Sequence, residues 1–240
     1  MLHDAARRAD PEMMTDGPLS LADAAFRLHP SGALFWPEEQ ALVVADLHFE
    51  KGSSFARHGV MLPPYDTAVT LDLLADVIAF YRPKIVVALG DSFHDRAAPD
   101  RLPEPYRERL AALQAGREWI WIAGNHDPDV PEGFGGDVYA EVACGDIVFR
   151  HEPALGAHPG EIAGHLHPAA RIRVRGRSLR RRCFVTDGTR LVLPAFGVYT
   201  GGLNVCDRAF EPVVPRHLMA AHLLGRDRVY AVAGCDLHPD

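Results

Sequence analysis

"EWIWIAGNHD", residues 118–127, runs an apolar stretch of buried-strand type straight into a glycine turn carrying an amide, an imidazole and a carboxylate. The run is short, continuous and rich in Trp and Ile, which predicts a strand of a buried sheet. Its polar tip has no place in a hydrophobic interior, so it must lie where the strand meets something else. The pattern recurs. "ALVVADLH" (41–48) ends a run with Asp46 and His48, and "KIVVALGD" (84–91) ends one with Gly90 and Asp91. "DIVFRH" (146–151) delivers His151, and "EIAGHLH" (161–167) delivers His165 and His167. The i, i+2 spacing of Asp46 with His48, and of His165 with His167, aims each pair to one side of an extended chain.

Taken singly, each residue has an ordinary reading. An Asp after a strand is usually a turn former or helix cap, and a lone His is usually a hydrogen-bonded core or surface residue. Taken together, five separated strand ends supply two carboxylates, an amide and several imidazoles, with no Cys among them. Ligands of open α/β sheets bind beyond the carboxyl ends of strands, where all five clusters fall. Mixed imidazole and oxygen donors favour Mn, Fe or Zn over a thiolate site or an all-oxygen Ca site. Seven donors exceed the four of one tetrahedral zinc, which points to two divalent ions sharing a carboxylate.

The rest of the chain bounds this reading. At 240 residues and 48% hydrophobic, it can bury a sizeable core, and no Ser/Gly-rich or Pro-rich linker divides it. The expectation is a lead-in at residues 1–20, lacking a sustained period and mobile, followed by one domain over 21–240. A net charge of -7 excludes a uniformly basic, nucleic-acid-coating surface. Cys144, Cys183, Cys206 and Cys235 form no CxxC pair, which predicts reduced thiols. Neither a membrane span nor a signal-type leader is legible, so a cytoplasmic protein without a membrane partner is expected.

"DTAVTLDLLADVIAFYRP" (66–83) predicts a helix that opens on a capping Asp and stops at proline, and "PEPYRERLAALQAG" (103–116) a second one ending near Gly116. After residue 137 the texture turns to short strands separated by turns. Alternating strand and helix followed by mostly strand predicts an α/β protein whose packed sheets are covered by helices.

In order, D-x-H, G-D, G-N-H-D, H and G-H-x-H resemble the calcineurin-like metallophosphoesterases over about residues 41–168. The resemblance implies an α/β, four-layer α/β/β/α sandwich of two mixed sheets flanked by helices, with a dinuclear centre. It implies Asp46, His48, Asp91 and His167 on one metal, and Asp91, Asn125, His151 and His165 on the other, with Asp91 as the bridge. His126 matches the histidine that faces substrate, and Asp127 would orient its ring. "DLHFEKGSSFARHGVMLPPYDT", "GDSFHD", "GHLHPAARIRVRGRSLRRRCF" and "LPAFGVYTGGLNV" are more similar to the small bacterial phosphoesterases associated with an ATP-dependent DNA ligase and a helicase of DNA repair. That narrower resemblance, over about residues 24–212, implies a manganese-dependent phosphodiesterase, a nuclease among its activities, acting on DNA or RNA, with ligase and helicase as partners. The implied chemistry is in-line attack on phosphorus by a metal-bridging hydroxide, with His126 protonating the leaving oxygen.

Four features leave alternatives open. His94 and Asp95 either touch substrate or support the metals, or they simply begin a helix. Lys51, Arg57 and Tyr65 either line a groove or belong to an ordinary exposed loop. Arg171, Arg173, Arg175 and Arg177 alternate, which on one strand would put four guanidinium groups on one face, either as a phosphate track or as a solvated charge run. The fourth is the reaction itself. A small-nucleotide phosphatase or pyrophosphohydrolase would need the same metal core, and a non-catalytic scaffold would keep only the fold.

Overall fold

The computed structural model describes residues 15–63, 65–128 and 133–240. In chain order the first seven strands are β1 (Gly17–Leu21), β2 (Ala24–Leu28), β3 (Leu34–Trp36), β4 (Ala41–Ala45), β5 (Ile85–Leu89), β6 (Glu118–Ile122) and β7 (Asp137–Tyr139). They lie side by side in that order. β1 to β4 form an antiparallel meander, whereas β4 to β7 are parallel neighbours. Parallel neighbours need long crossovers. Helices α1 (Lys51–Arg57) and α2 (Asp66–Tyr81) fill the first, and α3 (Ala98–Arg101) and α4 (Glu104–Gln114) the second.

The second sheet takes β8 (Glu141–Cys144), β9 (Ile147–Arg150), β10 (Glu161–Ala163), β11 (Pro168–Val174), β12 (Arg177–Thr186), β13 (Leu191–Val192) and β14 (Leu203–Asn204), with β15 (Ala220–Leu224) and β16 (Val229–Ala233). Its order is β14-β11-β12-β13-β10-β9-β8, with β15 also on β12 and β16 outside β15. β9, β10 and β13 are mutually parallel and the hairpins around them antiparallel, so the sheet is mixed.

Strand periodicity explains the layering. Leu42, Val44, Val86, Ala88, Trp119 and Trp121 face one side of the first sheet and pack on Leu71, Leu74, Val77 and Ile78 of α2 and Leu110 of α4. Their alternates Val43, Ala45, Val87, Leu89, Ile120 and Ile122 face the second sheet and meet Ile147, Phe149, Ile162, Phe184 and Leu191. Strands buried on both faces read as unbroken apolar runs, and this is why "ALVVA", "IVVAL" and "WIWI" carry no polar alternation. Beyond the second sheet, Ala170, Cys183, Val185 and Val192 pack on Val205, Phe210, Val214 and Leu237. That outer layer is thin, built from loops and the 3-10 turns at Arg208–Phe210 and Gly234–Asp236. The chain is thus an α/β protein of two mixed sheets with flanking helices. Among the described residues no helix is long and apolar enough to cross a membrane.

Several local expectations change. Of the lead-in, residues 1–14 lie outside the described residues, whereas Gly17–Leu21 is a strand paired along its length with β2. Lys51 and Arg57 lie in α1 rather than in a loop. Asp66 is helical and Tyr65 takes the cap position of α2, while the Asp66 carboxylate accepts from the Gly52 amide at 2.9 Å and so serves the neighbouring α1. α2 ends where Arg82 turns left-handed (φ 49°) before Pro83, as its proline predicts. The four alternating arginines do not share one face. Arg175 (φ 48°) and Gly176 (φ 76°) form the two-residue turn of the β11–β12 hairpin. Arg177 then lies opposite Val174, on the other face from Arg171 and Arg173.

Candidate metal centre

All five polar clusters emerge at one edge of the two-sheet stack. Asp46 follows β4, Asp91 follows β5, Asn125 follows β6, His151 follows β9 and His165 follows β10. The parallel register of β4, β5 and β6 and of β9 and β10 brings these ends level.

Two groups of ligand atoms result. Asp46, His48 and His167 bring one donor each within 4.8 Å of one another, as do Asp91, His151 and His165. Asp91 stands between them: its Oδ1 lies 3.4 Å from His151 Nε2 and its Oδ2 4.0 Å from His48 Nε2. Asn125 Oδ1 is 2.9 Å from His151 Nε2. His48 Nε2 and His167 Nε2 face each other at 3.3 Å, and His165 Nδ1 faces His151 Nε2 at 3.2 Å. Two imidazole nitrogens so close share at most one proton, whereas a cation between them satisfies both lone pairs.

The surrounding backbone fixes these donors. His151 Nδ1 donates to the Leu89 carbonyl at 2.9 Å, which turns Nε2 inward as an acceptor. Asp46 accepts from the His165 amide at 3.0 Å, and Asp91 Oδ1 from the His126 amide at 2.9 Å. Asp46, Asp91 and His48 are at most 3% exposed. Burial lowers the pKa of His48 and of His165. At His151 burial acts in the same direction, but hydrogen bonding to Asp91 and the nearby Asp46 carboxylate outweigh it and raise the pKa to about 9. Burial would raise the Asp91 pKa, but His151 and the His126 amide hold it well below the usual carboxylate range. Ionised carboxylates and inward nitrogen lone pairs are the donors that a divalent cation requires, and it would replace the proton drawn to His151. The residues fit a dinuclear centre.

The backbone carries strain here. Asp46, His48, Asp91, His165 and His167 all have positive φ, between 45° and 68°. Such conformations cost on the order of 1–3 kcal/mol each and persist where the surroundings enforce them, which points to function. The glycines of G-D, G-N and G-H have a related cause. A Cβ on Gly124 would overlap the Asp91 amide and carboxylate, one on Gly90 the His151 ring, and one on Gly164 the Asp46 carboxylate at 2.8 Å. These cradles are visible in the sequence as a glycine before Asp91, Asn125 and His165, although their partners are not.

The remaining candidates separate. His126 has a side chain 42% exposed, and its Nε2 is 3.9 Å from Asp91 Oδ2, so the ring borders both the cluster and solvent. The Asp127 carboxylate is engaged away from that ring: its Oδ2 accepts from the Phe93 amide at 3.0 Å, and the Ser92 amide also bonds the carboxylate. The carboxylate ties the loop after β6 to the loop after β5. His94 stacks on His126 with ring centroids 5.5 Å apart, and its Nδ1 lies 3.3 Å from His48 Nδ1. It buttresses a cluster residue from behind. Neither His94 nor Asp95 begins a helix, since α3 starts at Ala98. Asp95 is clamped by both terminal nitrogens of Arg101, at 2.9 and 2.7 Å, and Arg101 reaches Ser53 of α1. Lys51 is half-buried with its ammonium 5.8 Å from the Phe55 ring centroid, whereas Arg57 and Tyr65 are exposed. A cavity of about 330 Å³, lined by Asn125, Glu141, Arg150 and His151 among others, adjoins the cluster.

Comparison with known proteins agrees with this geometry. Over 91% of its length the chain superposes on the whole of the Pseudomonas putida nuclease MPE crystal structure, with a TM-score of 0.68 and 30% sequence identity. No curated protein sequence matches it significantly. The family model for calcineurin-like phosphoesterases matches residues 40–178, a span that contains every ligand candidate from Asp46 to His167. The chain therefore belongs to the calcineurin-like phosphoesterases, and it is a metal-dependent phosphoesterase.

Proposed function

We propose that this enzyme is a phosphodiesterase that cleaves nucleic acid, a manganese-dependent nuclease of bacterial DNA repair acting beside a ligase and a helicase. The observation that carries the proposal is the convergence of seven donor side chains from five strand ends beneath a half-exposed His126. The nuclease named among its structural neighbours supports the substrate class, and the sequence resemblance supports the repair setting.

In this reading Asp46, His48, Asp91 and His167 hold one divalent cation, and Asp91, Asn125, His151 and His165 the other. Bound cations supply Lewis-acid neutralisation of phosphoryl oxygens and make water acidic enough to act as a nucleophile near neutral pH. The chain supplies the rest. Asp91 serves both groups because its two oxygens point to different sides, and the Leu89 carbonyl keeps His151 in one tautomer. His126 faces the substrate and gives a proton from its ring to the leaving oxygen, a task that suits imidazole near neutrality. Asp127 and Gly124 hold the His126 loop against the Asp91 loop.

The test is hydrolysis by Mn-loaded protein of a simple diester, a monoester, nucleotides, and single- and double-stranded DNA. Chelator-sensitive cleavage of the diester and of DNA is expected. Turnover confined to monoesters or small nucleotides would replace this reading with a phosphatase or pyrophosphohydrolase, and no turnover on any substrate would leave a scaffold.

A further inference from the structure

β11 leaves the cluster directly from His167 and pairs with β12 so that Arg171 lies opposite Arg180 and Ala169 opposite Arg182. Directly opposite residues of an antiparallel pair point to the same face. Arg171, Arg173, Arg180 and Arg182 therefore share one face, a set defined by the hairpin rather than by the alternation within one strand. Arg182 anchors the base of this face by donating to the Ala195 carbonyl at 2.6 Å. That segment touches the cluster, since the Gly197 amide donates to the Asp46 carbonyl at 3.2 Å.

Arg171 and Arg180 converge on one acceptor. Asp240 Oδ1 accepts from Nε of Arg171 at 3.2 Å and from Nε of Arg180 at 3.1 Å, and Nη2 of Arg171 also lies within ion-pair reach at 3.2 Å. The segment carrying Asp240 lies along β11, its His238 amide donating to the Arg171 carbonyl at 2.9 Å. All three side chains are between 35% and 45% exposed. An ion pair so solvated is worth little, so another anion can displace the carboxylate. Beyond Arg180 the basic surface continues into a cavity of about 500 Å³, also lined by Arg181, Arg182 and Arg226.

We propose that Arg171 and Arg180 form a phosphate seat outside the catalytic centre, filled here by the Asp240 carboxylate, that takes a backbone phosphate of the nucleic-acid strand. This rests on the nuclease reading above. Guanidinium forks match phosphate oxygens better than a point charge does, and the seat is four residues of extended chain from His167, about 13 Å. At that separation the seat engages a flanking phosphate while the scissile one is at the cluster. Asp240 mimics and competes with that phosphate.

The experiment measures cleavage of a single-stranded DNA 15-mer and of a simple aryl phosphodiester by the Mn-loaded protein, for the unsubstituted chain and for R171A/R180A and D240N. For the double variant the KM on the 15-mer should rise about three- to ten-fold, with its dependence on log salt shallower by about 0.7 for each phosphate no longer neutralised. Asp240→Asn should act in the opposite direction, lowering that KM a few-fold. Neither should change turnover of the small diester, which is too short to reach the seat. Unchanged 15-mer kinetics in both variants, or an equal loss on both substrates, would overturn the seat and leave the nuclease reading standing. Failure of the unsubstituted protein to cleave the 15-mer while it hydrolyses the aryl diester would overturn both.

Discussion

The strand-end pit and the arginine hairpin are each crowded with polar side chains, yet they are built in opposite ways. In the pit Asp46, Asp91 and His48 are nearly inaccessible, held by backbone amides and carbonyls, and approached so closely that three glycines admit no side chain. On the hairpin Arg171, Arg180 and Asp240 share one solvated contact, and a methyl group at Gly176 would meet nothing within 4 Å. The difference separates two kinds of recognition. Preorganised donors in a dry site give large effects and tolerate little displacement, whereas screened charges on a surface give small effects that depend on salt.

Substitutions can break or sharpen this contrast. The largest effect is expected in the pit. Asp91→Ala removes the carboxylate between the two groups and should lower turnover at least about a thousandfold, roughly 4 kcal/mol, while elemental analysis finds fewer than two ions per chain. Two retained ions would break the bridging assignment. His126→Ala should keep both ions but slow turnover on a substrate with a poor leaving group by about 10²- to 10⁴-fold; full activity there would remove its role as acid.

Packing gives a second pair. Gly124→Ala pushes a methyl into the Asp91 backbone and should cost about 3 kcal/mol in urea unfolding, with loss of metal binding. Gly176→Ala, at φ 76° in open space, should cost about 1 kcal/mol and leave the metals in place. Similar costs at the two glycines would erase the distinction between pit and hairpin.

Asp95 lies between these extremes. The Arg101 clamp, opposed by partial burial, holds its carboxyl well below the usual carboxylate range. A carboxyl depressed in the folded state contributes stability that is present above the unfolded pKa of about 3.9 and is lost as pH falls below it. Screening limits the contribution to about 1 kcal/mol for a side chain 35% exposed. Urea midpoints measured from pH 7 to pH 3 should therefore fall more steeply for the unsubstituted chain than for Asp95→Asn.

Much of the pit is legible in the sequence because its cues are local. Each short apolar run ends in a donor, three of them through a glycine, and the i, i+2 spacing marks two donors at one strand end. The direction of those donors is not local: positive φ at Asp46, His48, His165 and His167 takes the backbone out of the extended form, and His165 and His167 join different groups. The long helices are legible from local cues as well, with Pro83 and Gly116 marking their ends. α1 is harder to read: "KGSSFAR" has only seven residues, a glycine and two serines, and its amides are served by Asp66, fourteen residues from Gly52.

The sequence by itself determined that polar donors stand at five strand ends, that none is a thiolate, and that the donor chemistry suits two divalent ions. Only the tertiary structure decided what each side chain meets: Asp127 the Phe93 amide and not the His126 ring, Asp95 the Arg101 fork, and His94 the back of His48. It also decided that Arg177 faces away from Arg171 and that Arg180 joins it. Periodicity runs within one strand, whereas a turn at Arg175 and Gly176 reverses the chain, and the face a residue occupies is then set by the pairing register.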